Sequence, residues 1–141
     1  MEDGDLRQAM AVLETYNYQL EALTRQVRLL QVSLEETTRA REALKALKDA
    51  KEGDEILIPI GASVLIPVKV SGEDKAIVSI GNRMSTEKSL EDALTFMEDS
   101  GKEVSEALKE TINTLEEVEK RTSELTAAVQ NEYQNRQSSE M

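Results

Sequence analysis

The sequence predicts an α+β protein: a long antiparallel coiled-coil hairpin with two central β-hairpins that assemble into an intersubunit β-barrel. Three observations carry this. Two runs repeat apolar residues at alternating three- and four-residue steps, and the stretch between them is rich in Ile and Val and broken by turn residues. The large side chains that fill a compact core are scarce, with aromatic residues at 3% of the chain, no Trp and one Phe. A spacing that averages about 3.5 residues keeps one narrow stripe against a single partner helix, as in a coiled coil. Ala, Glu, Lys, Leu and Arg supply about half of the residues, the bias of long helices.

The first stripe passes through Leu6, Ala9, Leu13, Tyr16, Leu20, Leu23, Val27, Leu30, Leu34, Thr37, Arg41 and Leu44. A helix is expected over 5–52, stopped by Gly53, which tolerates the left-handed conformation that ends helices. At about 1.5 Å per residue such a helix is about 65–70 Å long. Arg39, Arg41, Lys45, Lys48 and Lys51 gather at its end, where cations meet the partial negative charge of the helix terminus. Arg41 sits in the stripe itself and is expected to lay its stem along the seam with its head in water.

Residues 53–85 read as two β-hairpins that serve oligomerisation. In the first, Glu55–Ile60 and Val64–Val70 flank Gly61-Ala62-Ser63, with Pro59 and Pro67 expected nearly opposite one another at a pair that exchanges no hydrogen bonds. In the second, Lys75–Ile80 turns at Gly81-Asn82-Arg83 into a short strand around Met84-Ser85. The first hairpin is apolar on both faces, and isolated hairpins are marginal in water. Exposed edges and apolar faces must be paired or covered. Several chains are therefore expected to pool their hairpins in a shared sheet or barrel through Ile56, Ile58, Ile60, Val64, Ile66, Val68, Ile77 and Ile80.

The second helix is expected over 86–133. It is capped by the hydroxyls of Ser85-Thr86 and Ser89 and favoured by the early Glu87, Glu91 and Asp92. Its stripe runs through Leu90, Leu94, Met97, Gly101, Val104, Leu108, Thr111, Leu115, Val118, Thr122, Leu125 and Val129. A polar tail, 134–141, lacks apolar periodicity and is expected to fray. If the chain turns back through the hairpins, Leu44 meets Leu90, Thr37 meets Met97, Leu34 meets Gly101 and Leu6 meets Val129. Each small or polar member of the second stripe then faces a leucine, the volume compensation that close packing requires.

Charge and residue inventory exclude several functions. A net charge of −11 opposes binding to nucleic acid or anionic lipid. The absence of His and Cys removes the near-neutral acid–base group and the thiolate nucleophile, and Gly61, Gly72 and Gly81 are isolated turn glycines rather than a phosphate loop. The pairs Glu35-Glu36, Glu91-Asp92 and Glu116-Glu117 lie on helices, pointing apart into water rather than around a metal. No enzyme activity, metal or cofactor is expected. An acidic opening, no apolar run of the ~20 residues that span a bilayer, and no cysteine predict a soluble cytoplasmic protein. What stands out instead is apolar surface where the helix ends meet, with Met10 and Val12 off the first stripe and Ala128 and Tyr133 near the end of the second helix. Flexible groups such as Met adapt to varied partners.

The segment Glu55-Ile56-Leu57-Ile58-Pro59-Ile60-Gly61-Ala62-Ser63-Val64-Leu65-Ile66-Pro67, followed by Ile80-Gly81 and Glu87-Lys88-Ser89-Leu90-Glu91-Asp92-Ala93, resembles the alpha-class subunit of prefoldin, of the archaeal type. Asn82-Arg83-Met84-Ser85 departs from the aromatic-rich strand of that family. The resemblance implies an ATP-independent holdase. Two alpha and four beta subunits would join hairpins in a double β-barrel, and six coiled coils would grip unfolded client proteins at their tips and pass them to a group II chaperonin. In this chain the resemblance places client binding at Leu6, Met10, Leu13, Val129 and Tyr133. The alternative is a non-enzymatic coiled-coil scaffold or tether whose ends dock to one defined partner.

Overall fold

The computed structural model describes residues 2–140; Met1, and Met141 at the end of the expected tail, lie outside the described residues. The order of elements is α1 (Asp3–Asp49), β1 (Glu55–Gly61), β2 (Val64–Lys69), β3 (Ala76–Gly81), β4 (Met84–Lys88) and α2 (Leu90–Glu140). Every residue of the two stripes is buried or half-buried, and most residues between them are exposed. The chain forms two compact units, Met1–Val32 with Ser105–Met141, and Ser33–Val104.

In the first unit Leu6, Val118 and Val129 are each 7% exposed, and Thr111 is buried with its hydroxyl donating to the Ala107 carbonyl at 2.8 Å. That internal bond lets a polar residue occupy the seam, because a buried hydroxyl costs little once it has an acceptor. The expected tail is helical instead of frayed, and α2 continues to Glu140. Arg136 explains part of this, since it pairs with Glu132 one turn earlier and with Asp3 on α1, and Ser139 Oγ donates to the Asn135 carbonyl.

In the second unit α1 ends at Asp49, earlier than the glycine expected to stop it. The Asp54 carboxylate accepts from the Lys51 amide at 2.8 Å, and Gly53, at φ +87°, lies in the turn that leads to β1. The start of α2 is likewise displaced. Residues 84–88, rich in the hydroxyls that suggested a cap, form β4, and the cap falls to Ser89, whose hydroxyl accepts from the Asp92 amide at 3.0 Å. The Leu90 amide donates to Asp74 Oδ1 at 2.8 Å, so a residue before β3 caps the helix after β4.

Register differs from the expected layers at Gly101. A Cβ placed there would meet Thr37 Oγ1 at 3.6 Å, with no Leu34 atom within 4 Å, so the notch faces Thr37 and not Leu34. Nearer the hairpins, Lys48 Nζ lies 3.8 Å from Glu91 Oε1. The two helices run antiparallel here, because Thr37 meets Gly101 while the later Lys48 meets the earlier Glu91.

The hairpins form two separate two-stranded antiparallel sheets. Both turn through a two-residue loop with positive φ at each position: Ala62 (49°) and Ser63 (62°) in the first, Asn82 (50°) and Arg83 (60°) in the second. Two left-handed residues in succession make the turn whose twist matches that of the flanking strands. Each ladder slips by one residue just before its turn, at Ile60 and at Ile80. The proline register differs from the expected one, because Pro59 lies closer to the turn than Pro67 does: Pro59 faces Leu65 and Pro67 faces Leu57 instead of one another. Both remain compatible with the ladder. The Val70 amide donates to the Asp54 carbonyl at 2.9 Å, and counting by twos from that bonded pair leaves Leu57–Pro67 and Pro59–Leu65 among the pairs that exchange no hydrogen bonds.

Between the hairpins, Gly72 has φ +81°, and a Cβ on it would lie 2.9 Å from Glu52 Cβ. Both the conformation and the space require glycine.

Candidate functional site

Two surfaces gather the candidate residues. On the first hairpin, alternation puts Ile56, Ile58, Ile66 and Val68 on one face and Leu57, Pro59, Leu65 and Pro67 on the other. Ile56, Ile58 and Val68 of the first face line a groove of about 510 Å³ together with Leu47, Val70 and Leu90, which leaves Ile56 and Val68 half-buried, while Ile58 and Ile66 are exposed. The second face is open, with Leu57 61% and Leu65 54% exposed. Ile60, at the slip, and Val64, beside the turn, are exposed as well. Leu57 and Leu65 were not singled out from sequence, although the unbroken apolar run, with no polar alternation, was the signal that both faces are apolar.

The second hairpin is built differently. Val78, 7% exposed, shares its face with Ala76, Thr86 and Lys88, and Lys88 Nζ sits 5.5 Å from the centre of the Phe96 ring. Ile77 is on the other face, exposed, opposite Glu87 and beside Ser79 and Ser85. Ile80 occupies the slip and is exposed, as is Met84 after the turn.

The second surface is the meeting of helix ends in the first unit. Of the five residues expected at the tip, Leu6 and Val129 are buried and Leu13 is half-buried. Their methyl groups are used up in holding the two helices together, because an apolar side chain on the stripe faces the partner helix. Met10 and Tyr133 remain exposed, and the Tyr133 hydroxyl donates to Met10 Sδ at 3.5 Å across the two helices. Beside them the Arg136 guanidinium holds Glu132 below the usual glutamate range, and the carboxylates of Asp3 and Glu132 raise Arg136 above its own. The result is a soft apolar pair next to a closed ion cluster. Among the described residues no group of three or more His, Cys, Asp or Glu side chains could hold a metal ion, and no helix is long and apolar enough to cross a membrane.

Comparison with known proteins fits this arrangement of elements. Residues 16–135 match the family model described as Prefoldin subunit. The chain belongs to the prefoldin family. The prefoldin subunit alpha of Pyrococcus horikoshii is 37% identical over 134 residues, covering 89% of this chain and 90% of the relative. Among solved structures, a chain of filamentous PFD from Methanocaldococcus jannaschii is 26% identical with a TM-score of 0.54, covering 92% of this chain and 98% of its own. The prefoldin beta subunit of Thermococcus strain KS-1 shares the fold at 16% identity, with a TM-score of 0.57 and 90% of each chain covered. Prefoldins are a chaperone family, and the two long helices and two small hairpins of this chain match solved prefoldin structures.

Proposed function

We propose that this chain is the alpha-type subunit of a cytoplasmic, ATP-independent holdase. It joins beta-type subunits in a hexamer of two alpha and four beta chains, captures unfolded proteins at its helix ends, and delivers them to a group II chaperonin. The observation that carries this reading is the pairing of exposed Met10 and Tyr133 across the ends of α1 and α2 in a prefoldin-family chain. A client without fixed structure offers apolar segments of varied shape, and Met adapts to these at low cost. Several such ends around one client supply avidity although each contact is weak. Assembly falls to the apolar faces of the first hairpin and the exposed isoleucines of the second, which are marginal alone in water.

The test is to mix the chain with a prefoldin beta subunit and measure both mass and suppression of aggregation of a denatured client. A hexamer that suppresses aggregation, and loses suppression but not mass in Met10→Ser/Tyr133→Ser, is the expected result. A stable homo-oligomer with no suppression, with or without the partner, would indicate a scaffold or tether instead.

A further inference from the structure

The first unit carries a second apolar row that neither the seam nor the helix ends use. Tyr18, Ala22, Arg25, Leu29 and Val32 follow one another on α1 at steps of four and three residues, the spacing of a coiled-coil seam. None of the five belongs to the buried stripe, and all are exposed. Tyr18 is 66% and Leu29 71% exposed, which is unusual for large apolar groups lined up on one helix face. Charge singles out the same row. On a chain of net charge −11, the only charged residues between Glu21 and Glu35 are Arg25 and Arg28. Neither takes part in the ion pairs of the described residues, whereas Arg39, Arg121 and Arg136 each pair with a carboxylate on their own helix.

We infer that this face of α1 is a docking surface for an amphipathic helix, carried by another protein, whose apolar row is flanked by acidic residues. Leu29 and Val32 supply the row against which such a helix would pack, and Arg25 and Arg28 the charges that its flanking carboxylates would meet. A second copy of this chain fits poorly. Its α1 would bring arginines against arginines, and among the described residues α2 exposes a single large apolar side chain, Tyr133.

The experiment titrates the full-length chain, in its assembled state, into a fluorescent helical peptide of roughly three heptads with Leu at both core positions. One version carries Glu at the flanking positions and the other Lys. The Glu-flanked peptide is expected to bind about tenfold more tightly or better. Arg25→Glu/Arg28→Glu should reverse that preference, and Leu29→Ser/Val32→Ser should weaken binding of the Glu-flanked peptide about tenfold while leaving the melting curve of the chain in place. Equal binding of the two peptides, or Glu-flanked binding indifferent to Leu29→Ser/Val32→Ser, would overturn the inference. Recruitment to phosphatidylserine vesicles that Arg25→Glu/Arg28→Glu abolishes, without a change in peptide affinity, would overturn it in favour of a lipid surface. Self-association that Leu29→Ser/Val32→Ser abolishes would overturn it in favour of a second copy.

Discussion

The hairpin β1–β2 and the hairpin β3–β4 turn on the same backbone: a slipped Ile, a Gly, two left-handed residues, and a strand running back. Their return strands part company. Val64–Lys69 is apolar but for its last residue, whereas Met84–Lys88 reads Met-Ser-Thr-Glu-Lys. One hairpin consequently leaves large apolar side chains exposed on both faces, at Ile58 and Ile66 and at Leu57 and Leu65; the other buries Val78 in its own unit and leaves Ile77 exposed among Glu87, Ser79 and Ser85 on the opposite face. The difference teaches that backbone geometry and surface chemistry are set independently here. The turn residues fix the frame, and the cross-strand partners decide how much apolar surface is left over.

Leu57 and Ile77 give the most direct way to break this contrast, since they hold equivalent places on the open faces but look across at Pro67 and Glu87. Leu57→Lys places a charge among apolar neighbours and is expected to cost assembly about 2–4 kcal/mol. Ile77→Lys gains a cross-strand carboxylate and should cost under about 1 kcal/mol. Mass against concentration by analytical ultracentrifugation reads both, and equal losses would end the distinction between the hairpins.

A smaller effect is expected where the two hairpins are joined. Gly72→Ala forces a Cβ onto Glu52 at positive φ and should lower stability by about 1–3 kcal/mol in thermal unfolding. A wild-type melting temperature would show that the connection between the hairpins is slack.

The turns sharpen the comparison further. Ala62 bears the full steric cost of the left-handed region, whereas Asn82 adopts it readily. Ala62→Gly should therefore stabilise by about 0.5–1 kcal/mol and Asn82→Gly by close to nothing. The same sign and size at both sites, in denaturant unfolding, would mean that the turns do not share one geometry in solution. The smallest expected change is at the exposed pair of Lys75 and Glu87, 3.0 Å apart, which has no counterpart across the first hairpin. Glu87→Gln should cost under about 1 kcal/mol, and the loss should vanish at high salt.

The helices were legible in the sequence because seam burial is a periodic property, and each residue of the two stripes is found where a spacing of three and four puts it. The extent of β4 was not, because Thr86 and Glu87 serve equally as cap and as polar strand residues, and only pairing with Ala76–Ser79 carries the short strand expected around Met84-Ser85 on to Lys88. The one-residue slip at Ile60, invisible in composition, sets Pro59 against Leu65 where an unbroken ladder from Gly61 and Val64 would set it against Ile66; in neither register does it face Pro67, because Pro59 lies closer to the turn. At the tip, periodicity found Leu6 and Val129 but could not say that packing would consume them, leaving Met10 and Tyr133 as the accessible pair. The helical end of α2 escaped notice because the tie of Arg136 to Asp3 is a contact between opposite ends of the chain.

The hydrogen bond from the Leu90 amide to Asp74 acquires a mechanical meaning once the chain carries load. Residues 74 and 90 leave the second hairpin at the same end, so tension drawn through them opens the strands by unzipping, one rung after another. The bond spans the base of the zip and must break before Ala76 and Lys88 can part. With the Lys75–Glu87 ion pair beside it, it resists the first step of unravelling.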